Sequence, residues 1–270
     1  MIQEDIGFEQ IRTWLIERSG IFYSEQKKEL LHQRLTRVQH NFGVSQMSEM
    51  ANMLVGGQNR KLQIAVMDAA TTNHTFFFRE NEVLEKFKIM ILPHLQDRMT
   101  VRIWSAACST GDELFTLGMI ISEALGVQAF MRFHLLGTDL CTTCISKAEA
   151  GVFMARNLEQ VSPEYMRKYF VKQSFNKHRI VDQILNQCTF RRLNLKTRPY
   201  PFQFEMQVIF LRNILYYFDE VDQKRTLDDL YNVTEPGGWL VTSVTENIRD
   251  LNTRWEPVAT GIYRKPGRHI

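Results

Sequence analysis

The stretch VRIWSAACSTGDELFTLGMIISEAL, residues 101–125, decides how this chain is read. VRIWSAA is a short apolar run rich in β-branched and aromatic residues, which predicts a buried strand. A turn of small residues, Cys108-Ser109-Thr110-Gly111, follows, and DELFTLGMIISEAL then repeats its apolar residues at helical spacing. The same alternation runs onward: RFHLLGTD predicts a strand, ISKAEAGVF a helix, QVIFLRNI a strand, VDQKRTLDDLYNV a helix and GGWLVTSV a strand. Strands alternating with helices imply an α/β fold, a parallel sheet covered by helices on both faces. EPVATGIYRK follows without an intervening helix and is expected as an antiparallel edge strand. Between residues 165 and 195 the pattern breaks, and YMRKYFVKQSFNKHRIVDQILNQCTF is expected to end a helix and insert a small β-hairpin.

Upstream the grammar is helical. DIGFEQIRTWLIERSGI places Ile6, Ile11, Trp14 and Leu15 on one face and stops at Gly20. Ser24 is expected to cap a second helix ending at Gly43, Ser45 to begin a third ending at Gly56-Gly57, and NRKLQIAVMDAA to form a fourth. The expected organisation is an N-terminal all-α helical domain over 1–70, a connecting loop and helix over 71–99, and an α/β domain over 100–270 with its hairpin near 168–192.

Composition bounds the function. The 44% hydrophobic and 23% charged content is that of a globular chain with a packed core. A net charge of +3 gives no footing for nucleic acid. No apolar run approaches the roughly 20 residues of a membrane span, and the acidic start MIQEDIGFEQ is unlike a secretory signal. A cytoplasmic protein without membrane insertion is expected. Of Cys108, Cys141, Cys144 and Cys188, only Cys141 and Cys144 form a C-x-x-C, the spacing of a redox pair or half a zinc site; with no second pair following, free thiols near a helix start are expected over either, and no metal.

In open α/β sheets ligands bind beyond the carboxyl ends of the strands. The turn after the first strand holds neither G-x-G-x-x-G nor G-x-x-x-x-G-K-[ST], which argues against a nicotinamide or nucleoside-triphosphate site. Asp112 and Glu113 at the next helix start would repel a pyrophosphate but suit an ammonium or sulfonium, although acids there also simply favour the helix dipole. Asp139, at the tip of the second strand, is placed to accept hydrogen bonds from ribose hydroxyls, or else to cap a helix. Together these point to a nucleoside ligand lacking pyrophosphate, and S-adenosylmethionine fits. The stretch TTNHTFFFRE, residues 71–80, is too rich in hydroxyl, amide, aromatic and guanidinium groups for a linker. At least one of its phenylalanines is expected to seal the helical bundle to the sheet domain, and Thr75 is a candidate cap for the next helix.

TTNHTFFFRE resembles the signature of the chemotaxis receptor methyltransferases, the CheR family. RIWSAACSTGDELFTLGMII, LLGTDLCTTCISKAEAGVF, IFLRNILYYFD and EPGGWLVTSVTENI match in the same order, and the resemblance covers essentially the whole chain. It implies a Rossmann-like methyltransferase sheet with a small β-hairpin insertion and an N-terminal all-α domain. It implies methyl transfer from S-adenosylmethionine, with S-adenosylhomocysteine as product, to glutamate side chains in the cytoplasmic helical domain of methyl-accepting chemoreceptors. It further implies that Asn73, Thr75 and Arg79 contact the cofactor, Arg79 also facing the methyl-transfer site. Glu113 would meet the methionyl amino group and Asp139 the ribose. Asn194 and Leu195 would line the adenine pocket, Arg212 and Asn213 would lie beside the cofactor, and Tyr217 near the transferred methyl.

There are departures. The usual G-E-E-P-Y reads Gly111-Asp112-Glu113-Leu114-Phe115, and the usual G-H-S-E reads Ser243-Val244-Thr245-Glu246. The altered C-terminal segment leaves open a cofactor-binding signalling module with little activity, and a methyltransferase of a small molecule or RNA is the other alternative. Arg12, Arg18, Lys27, Lys28, Arg34 and Arg37 form a modest basic excess that the resemblance places toward the receptor's acidic face. The hairpin resembles a docking subdomain that grips a receptor tail in some members.

Overall fold

Strand β1 (Val101–Ser105) turns alternate side chains to opposite faces, and both faces are apolar. A computed structural model of the chain describes residues 6–267, so positions 1–5 and 268–270 of the expected outer limits, and with them Glu4 and Asp5 of the acidic start, lie outside the described residues. Val101 and Ile103 pack with Val208, Phe210 and Val241 and with Leu114, Leu117 and Ile121 of α6 (Asp112–Leu125). Trp104 faces the other way, into a cluster with Ile209, Leu211 and Leu240 and with Leu227 and Leu230 of α11 (Glu220–Val233). Apolar residues on both sides of every central strand require a cover on both sides, and helices supply it.

The sheet continues through α7 (Val127–Phe130), β2 (Phe133–Asp139), α8 (Thr142–Ala150), β3 (Val152–Met154), α9 (Pro163–Tyr169), β4 (Phe170–Ser174), β5 (Lys177–Ile180), α10 (Asp182–Leu185) and β6 (Cys188–Arg192). After them come β7 (Met206–Leu211), β8 (Thr234–Thr242), β9 (Glu256–Ala259) and β10 (Ile262–Arg264). Among the described residues the large sheet has seven strands in the order β6-β2-β1-β7-β8-β10-β9. Strands β6 to β8 run parallel, while β10 is antiparallel to β8 and β9 to β10. The expected terminal edge strand is thus a hairpin. The chain winds outward from β1 through β2 on one side and returns to β7 on the other, so the strand order reverses beside β1.

Two sequence expectations need correction. Val152 and Phe153, placed in a helix, form β3, because Gly151 ends α8 in the left-handed region at φ +60°. Cys188–Arg192, placed in the hairpin insertion, pairs in parallel with β2 as the far edge of the large sheet. The insertion is instead a three-stranded antiparallel sheet, β3-β5-β4.

The upstream helices α1 (Ile6–Ser19), α2 (Lys28–Asn41), α3 (Met47–Val55) and α4 (Arg60–Ala70) close around their own core, with Leu15, Leu31, Leu35, Leu62 and Val66 fully buried. Asn59 caps α4 by accepting the Leu62 N–H at 3.0 Å. Ser24 precedes α2 in extended conformation, but its side chain makes no capping bond and a single 3₁₀ turn, Glu25–Lys27, intervenes. Ser45 lies two residues before α3, whose flanking residue is Gln46. Helix α5 (Asn81–Lys86) then continues in a wider turn over Phe87–Ile91 toward β1. Among the described residues no helix is long and apolar enough to cross a membrane.

Gly137 sits opposite Phe190 in the β2–β6 register. A Cβ at Gly137 would stand 2.7 Å from that ring and 2.9 Å from the Cys108 sulfur. Gly137→Ala is therefore expected to lower stability by about 1–3 kcal/mol, and Phe190→Leu to recover part of that loss in the double variant. Urea denaturation midpoints of the two single variants and the double variant check this; independent, additive losses would contradict the steric cause.

Candidate active site

Beyond the carboxyl ends of β1, β2 and β7 a cleft of about 1020 Å³ opens, and all ten residues marked in the sequence line it. Its floor is the turn after β1. Cys108 donates its N–H to the Thr138 carbonyl at 2.9 Å, and Gly111 donates to the Cys108 carbonyl at 2.9 Å. Gly111 at φ +88° takes a conformation that suits glycine, and a Cβ there would lie 2.9 Å from the Phe115 ring. The bend aims the Ser109 N–H at Asp139 Oδ2, 2.8 Å away, while Cys141 N–H donates to Asp139 Oδ1 at 2.9 Å. Asp139 is buried, and burial pushes its carboxyl above the usual range against those two bonds.

Arg212, one residue beyond β7, organises the back wall. Its side chain is 3% exposed; Nη1 donates to Glu113 Oε2 at 2.9 Å and Nη2 lies 3.3 Å from Glu80 Oε2. Nη2 also donates to the carbonyl of Arg79 at 2.5 Å. Glu113 additionally accepts from Ser105 Oγ at 2.8 Å. The acid expected to meet a cationic ligand is therefore already oriented by β1 and β7. Asn213, at φ +59°, donates its side-chain amide to Glu80 Oε1 at 2.9 Å, and the Ser243 hydroxyl donates to the same oxygen at 2.9 Å. Burial pushes the Glu80 carboxyl up, but Asn213, the Arg212 charge and Ser243 together bring it below its ordinary value.

The loop from Thr71 to Glu80 forms the opposite wall. Asn73 donates to Thr71 Oγ1 at 2.9 Å and to Cys141 Sγ at 3.4 Å, and its carbonyl accepts from Ser109 Oγ at 3.3 Å. The Asn73 side chain thus ties the loop to the tip of β2. Thr75 lines the cleft and caps nothing, since α5 begins only at Asn81. Arg79 donates to the His74 carbonyl at 2.9 Å and stands 5.8 Å from the Phe76 ring centre. Among the described residues it has no carboxylate partner. Of the three phenylalanines, Phe77 is fully buried, edge-on to Phe153 and Phe170, and so seals the loop to the inserted sheet.

Asn194 donates to the Arg18 carbonyl at 2.5 Å and accepts from the Lys196 N–H at 3.0 Å, while Leu195 is buried beside it. Tyr217 is half-buried in the cleft wall; its carbonyl accepts the Phe22 N–H at 3.0 Å, and its ring lies 4.5 Å from that of the exposed Tyr216.

The two departures have structural outcomes. Asp112 is buried, bonded to Thr110 Oγ1, and Phe115 is fully buried edge-on to Phe153 and Phe190. The segment Ser243–Glu246 ends in a carboxylate that accepts the N–H groups of Asn213 (2.7 Å), Ile214 (2.7 Å) and Leu215 (2.8 Å). Burial raises the Glu246 carboxyl while those donors pull it down. Sequence reasoning missed Glu80 and Glu246 as site residues. Glu80 closes the TTNHTFFFRE stretch, and an acid there was a signal that could have been followed.

Comparison with known proteins assigns the chain. Residues 6–71 match the family described as "CheR methyltransferase, all-alpha domain", and residues 73–263 match "CheR methyltransferase, SAM binding domain". The chain is 28% identical over 255 residues to the chemotaxis protein methyltransferase of Escherichia coli, covering 93% of this chain and 87% of that one. The Salmonella typhimurium protein of the same name is 29% identical over 250 residues, covering 92% and 85%. A probable chemotaxis protein methyltransferase of Rhizobium etli is 31% identical over 237 residues, covering 85% of this chain and 88% of that one. With both family domains present in order over nearly its whole length, the chain belongs to the CheR methyltransferase family.

Proposed function

We propose that the chain transfers the methyl group of S-adenosylmethionine to glutamate side chains of methyl-accepting chemoreceptors, leaving S-adenosylhomocysteine. The observation that carries this reading is the cleft at the sheet's switch point, walled by the family's loop and by buried acids with no basic cluster to receive a phosphate. The donor set fits a cationic nucleoside. Asp139 is a buried carboxylate at a strand tip, suited to a ribose diol, and Glu113 presents a second carboxylate suited to an ammonium. Leu195 and Ile214 supply apolar wall for a base. The bound cofactor supplies an electrophilic methyl on a sulfonium. No metal enters the reading.

The acceptor needs no general base, because a glutamate with a pKa near 4.3 is already a carboxylate at neutral pH. The protein's task is alignment, which can lower a barrier by several kcal/mol. Arg79, without an internal carboxylate partner, is assigned to orient the incoming carboxylate, and Tyr217 to fix its angle from the opposite wall. The signalling-module alternative loses its motive in the Ser243–Glu246 segment, since Glu246 braces the turn that carries Arg212 and Asn213. Of the basic residues expected to meet a receptor, Arg12 and Lys28 pair with Glu9 and Glu25, and Arg34 binds the Thr71–Thr72 backbone and hydroxyl. Arg18, Lys27 and Arg37 remain the candidates for steering an acidic cytoplasmic helical partner. The proposed division is a helical unit over 1–70, the loop and helix over 71–99, and the catalytic unit beyond, in a cytoplasmic protein.

Incubation with tritiated S-adenosylmethionine and receptor cytoplasmic fragments is expected to place base-labile label on glutamate. Tight cofactor binding without label on any receptor fragment would favour the signalling module instead. Asp139→Ala is expected to weaken S-adenosylhomocysteine binding at least tenfold by calorimetry, the scale of a lost hydrogen bond to a charged group, about 1.5–3 kcal/mol. Tyr217→Phe should leave that affinity within about twofold and mainly lower kcat; the reverse pattern would exchange the two roles.

A further inference from the structure

Cys141 and Cys144 are nucleophilic groups that methyl transfer leaves without a task. Cys141 stands at the N-cap of α8 and Cys144 in its first turn, both buried at 2% and 3% exposure. Two donors converge on the Cys141 sulfur. The Cys144 N–H reaches it at 3.3 Å and the Asn73 side-chain amide at 3.4 Å. The Cys144 thiol bond, opposed by burial and aided by the backbone, draws the Cys141 thiol below its ordinary pKa, while the same shared proton and burial push Cys144 up. An acidified sulfur at a helix start, with a protonated thiol one turn on, is the arrangement of dithiol redox pairs. Residues three apart on a helix are neighbours, and disulfides span Cα separations of about 4.4–6.8 Å.

The pair also borders the cleft. The backbone N–H of Cys141 donates to Asp139 Oδ1, and the Asn73 side chain that touches the sulfur belongs to a residue lining the cleft. The Asn73 side chain stands between the cleft and the Cys141 sulfur.

We propose that Cys141 and Cys144 form a reversible disulfide that weakens cofactor binding at the adjoining Asp139 and Asn73. The inference rests on the reading of the cleft as the S-adenosylmethionine site. With a peroxide as oxidant, the Cys141 sulfur attacks one peroxide oxygen, and its thiol proton joins the leaving hydroxide, giving a sulfenic acid and water. The Cys144 thiol then displaces hydroxide from that sulfur, forming the S–S bond. Two thiols lose two electrons, and hydrogen peroxide is reduced to two waters. Once bonded to Cys144, the sulfur is no longer a free acceptor for the Asn73 amide, so the loop loses its side-chain contact with Cys141 beside the tip of β2.

The full-length protein, reduced and then treated with hydrogen peroxide, is to be alkylated and digested with trypsin. Peptide 133–147, which holds both cysteines, is expected to lose two hydrogens and to regain them with dithiothreitol. Calorimetry should show S-adenosylhomocysteine affinity falling about tenfold on oxidation and returning on reduction, and Cys144→Ser should form no such link. By linkage, saturating S-adenosylhomocysteine should shift the pair's midpoint in a glutathione buffer about 30 mV toward reduction, the two-electron equivalent of tenfold. A peptide that stays reduced, or a disulfide that leaves affinity within twofold, overturns this proposal alone. Failure of the reduced protein to bind S-adenosylhomocysteine overturns the cofactor reading beneath it.

Discussion

The site depends on one buried cation. Arg212 holds Glu113 of α6, Glu80 at the end of the Thr71–Glu80 loop, and the Arg79 carbonyl in the same loop, so two segments distant in sequence converge on one guanidinium. Burying a charge in this way is costly unless partners surround it, and removing one partner from such a network typically costs about 3–5 kcal/mol. Two carboxylates and a carbonyl meet that need here, although Nε is buried without a hydrogen-bond partner among the described residues. The consequence is rigidity. The loop cannot drift from the strand tips without stranding the Arg212 charge.

That constraint explains why residues outside the expected list matter. Asn213 sits in the left-handed region at φ +59°, a conformation that needs support in a residue other than glycine. Glu246 provides it by collecting the N–H groups of Asn213, Ile214 and Leu215 into one carboxylate. The departure at Ser243–Thr245 leaves the bracing Glu246 in place, and Ser243 adds a hydroxyl to Glu80. A segment that reads as altered in sequence is fully engaged in space.

The fold was legible where the physics is local. The strand and helix of residues 101–125 follow from alternating burial and helical spacing, and Asp112–Leu125 forms as read. The edge strand Cys188–Arg192 was not legible. Its pattern has a single deeply buried side chain, Phe190, and strand pairing with β2 is a long-range choice that adjacent residues do not encode. The candidate site was legible at the tip of β2 and the start of α6, where Asp139 and Glu113 stand out by position. Glu80 and Glu246 were opaque because their partners are backbone N–H groups and an arginine more than a hundred residues away or across a turn.

The helical bundle belongs to the same constraint. Arg34 of α2 donates to the Thr71 carbonyl and Thr72 hydroxyl, and the Tyr23 hydroxyl donates to the Ala70 carbonyl. Asp68 of α4 accepts the N–H groups of Thr142 and Thr143 at the start of α8, next to Asp139. On the other side Asn194 reaches the Arg18 carbonyl, and Phe22 donates to Tyr217. Ser19 and Ile21 themselves line the cleft. A boundary drawn near residue 70 separates two hydrophobic cores but cuts through a continuous polar seam. Helix α2 is therefore only one arginine away from the Thr71–Glu80 loop, and the bundle is part of the wall that shapes the cleft.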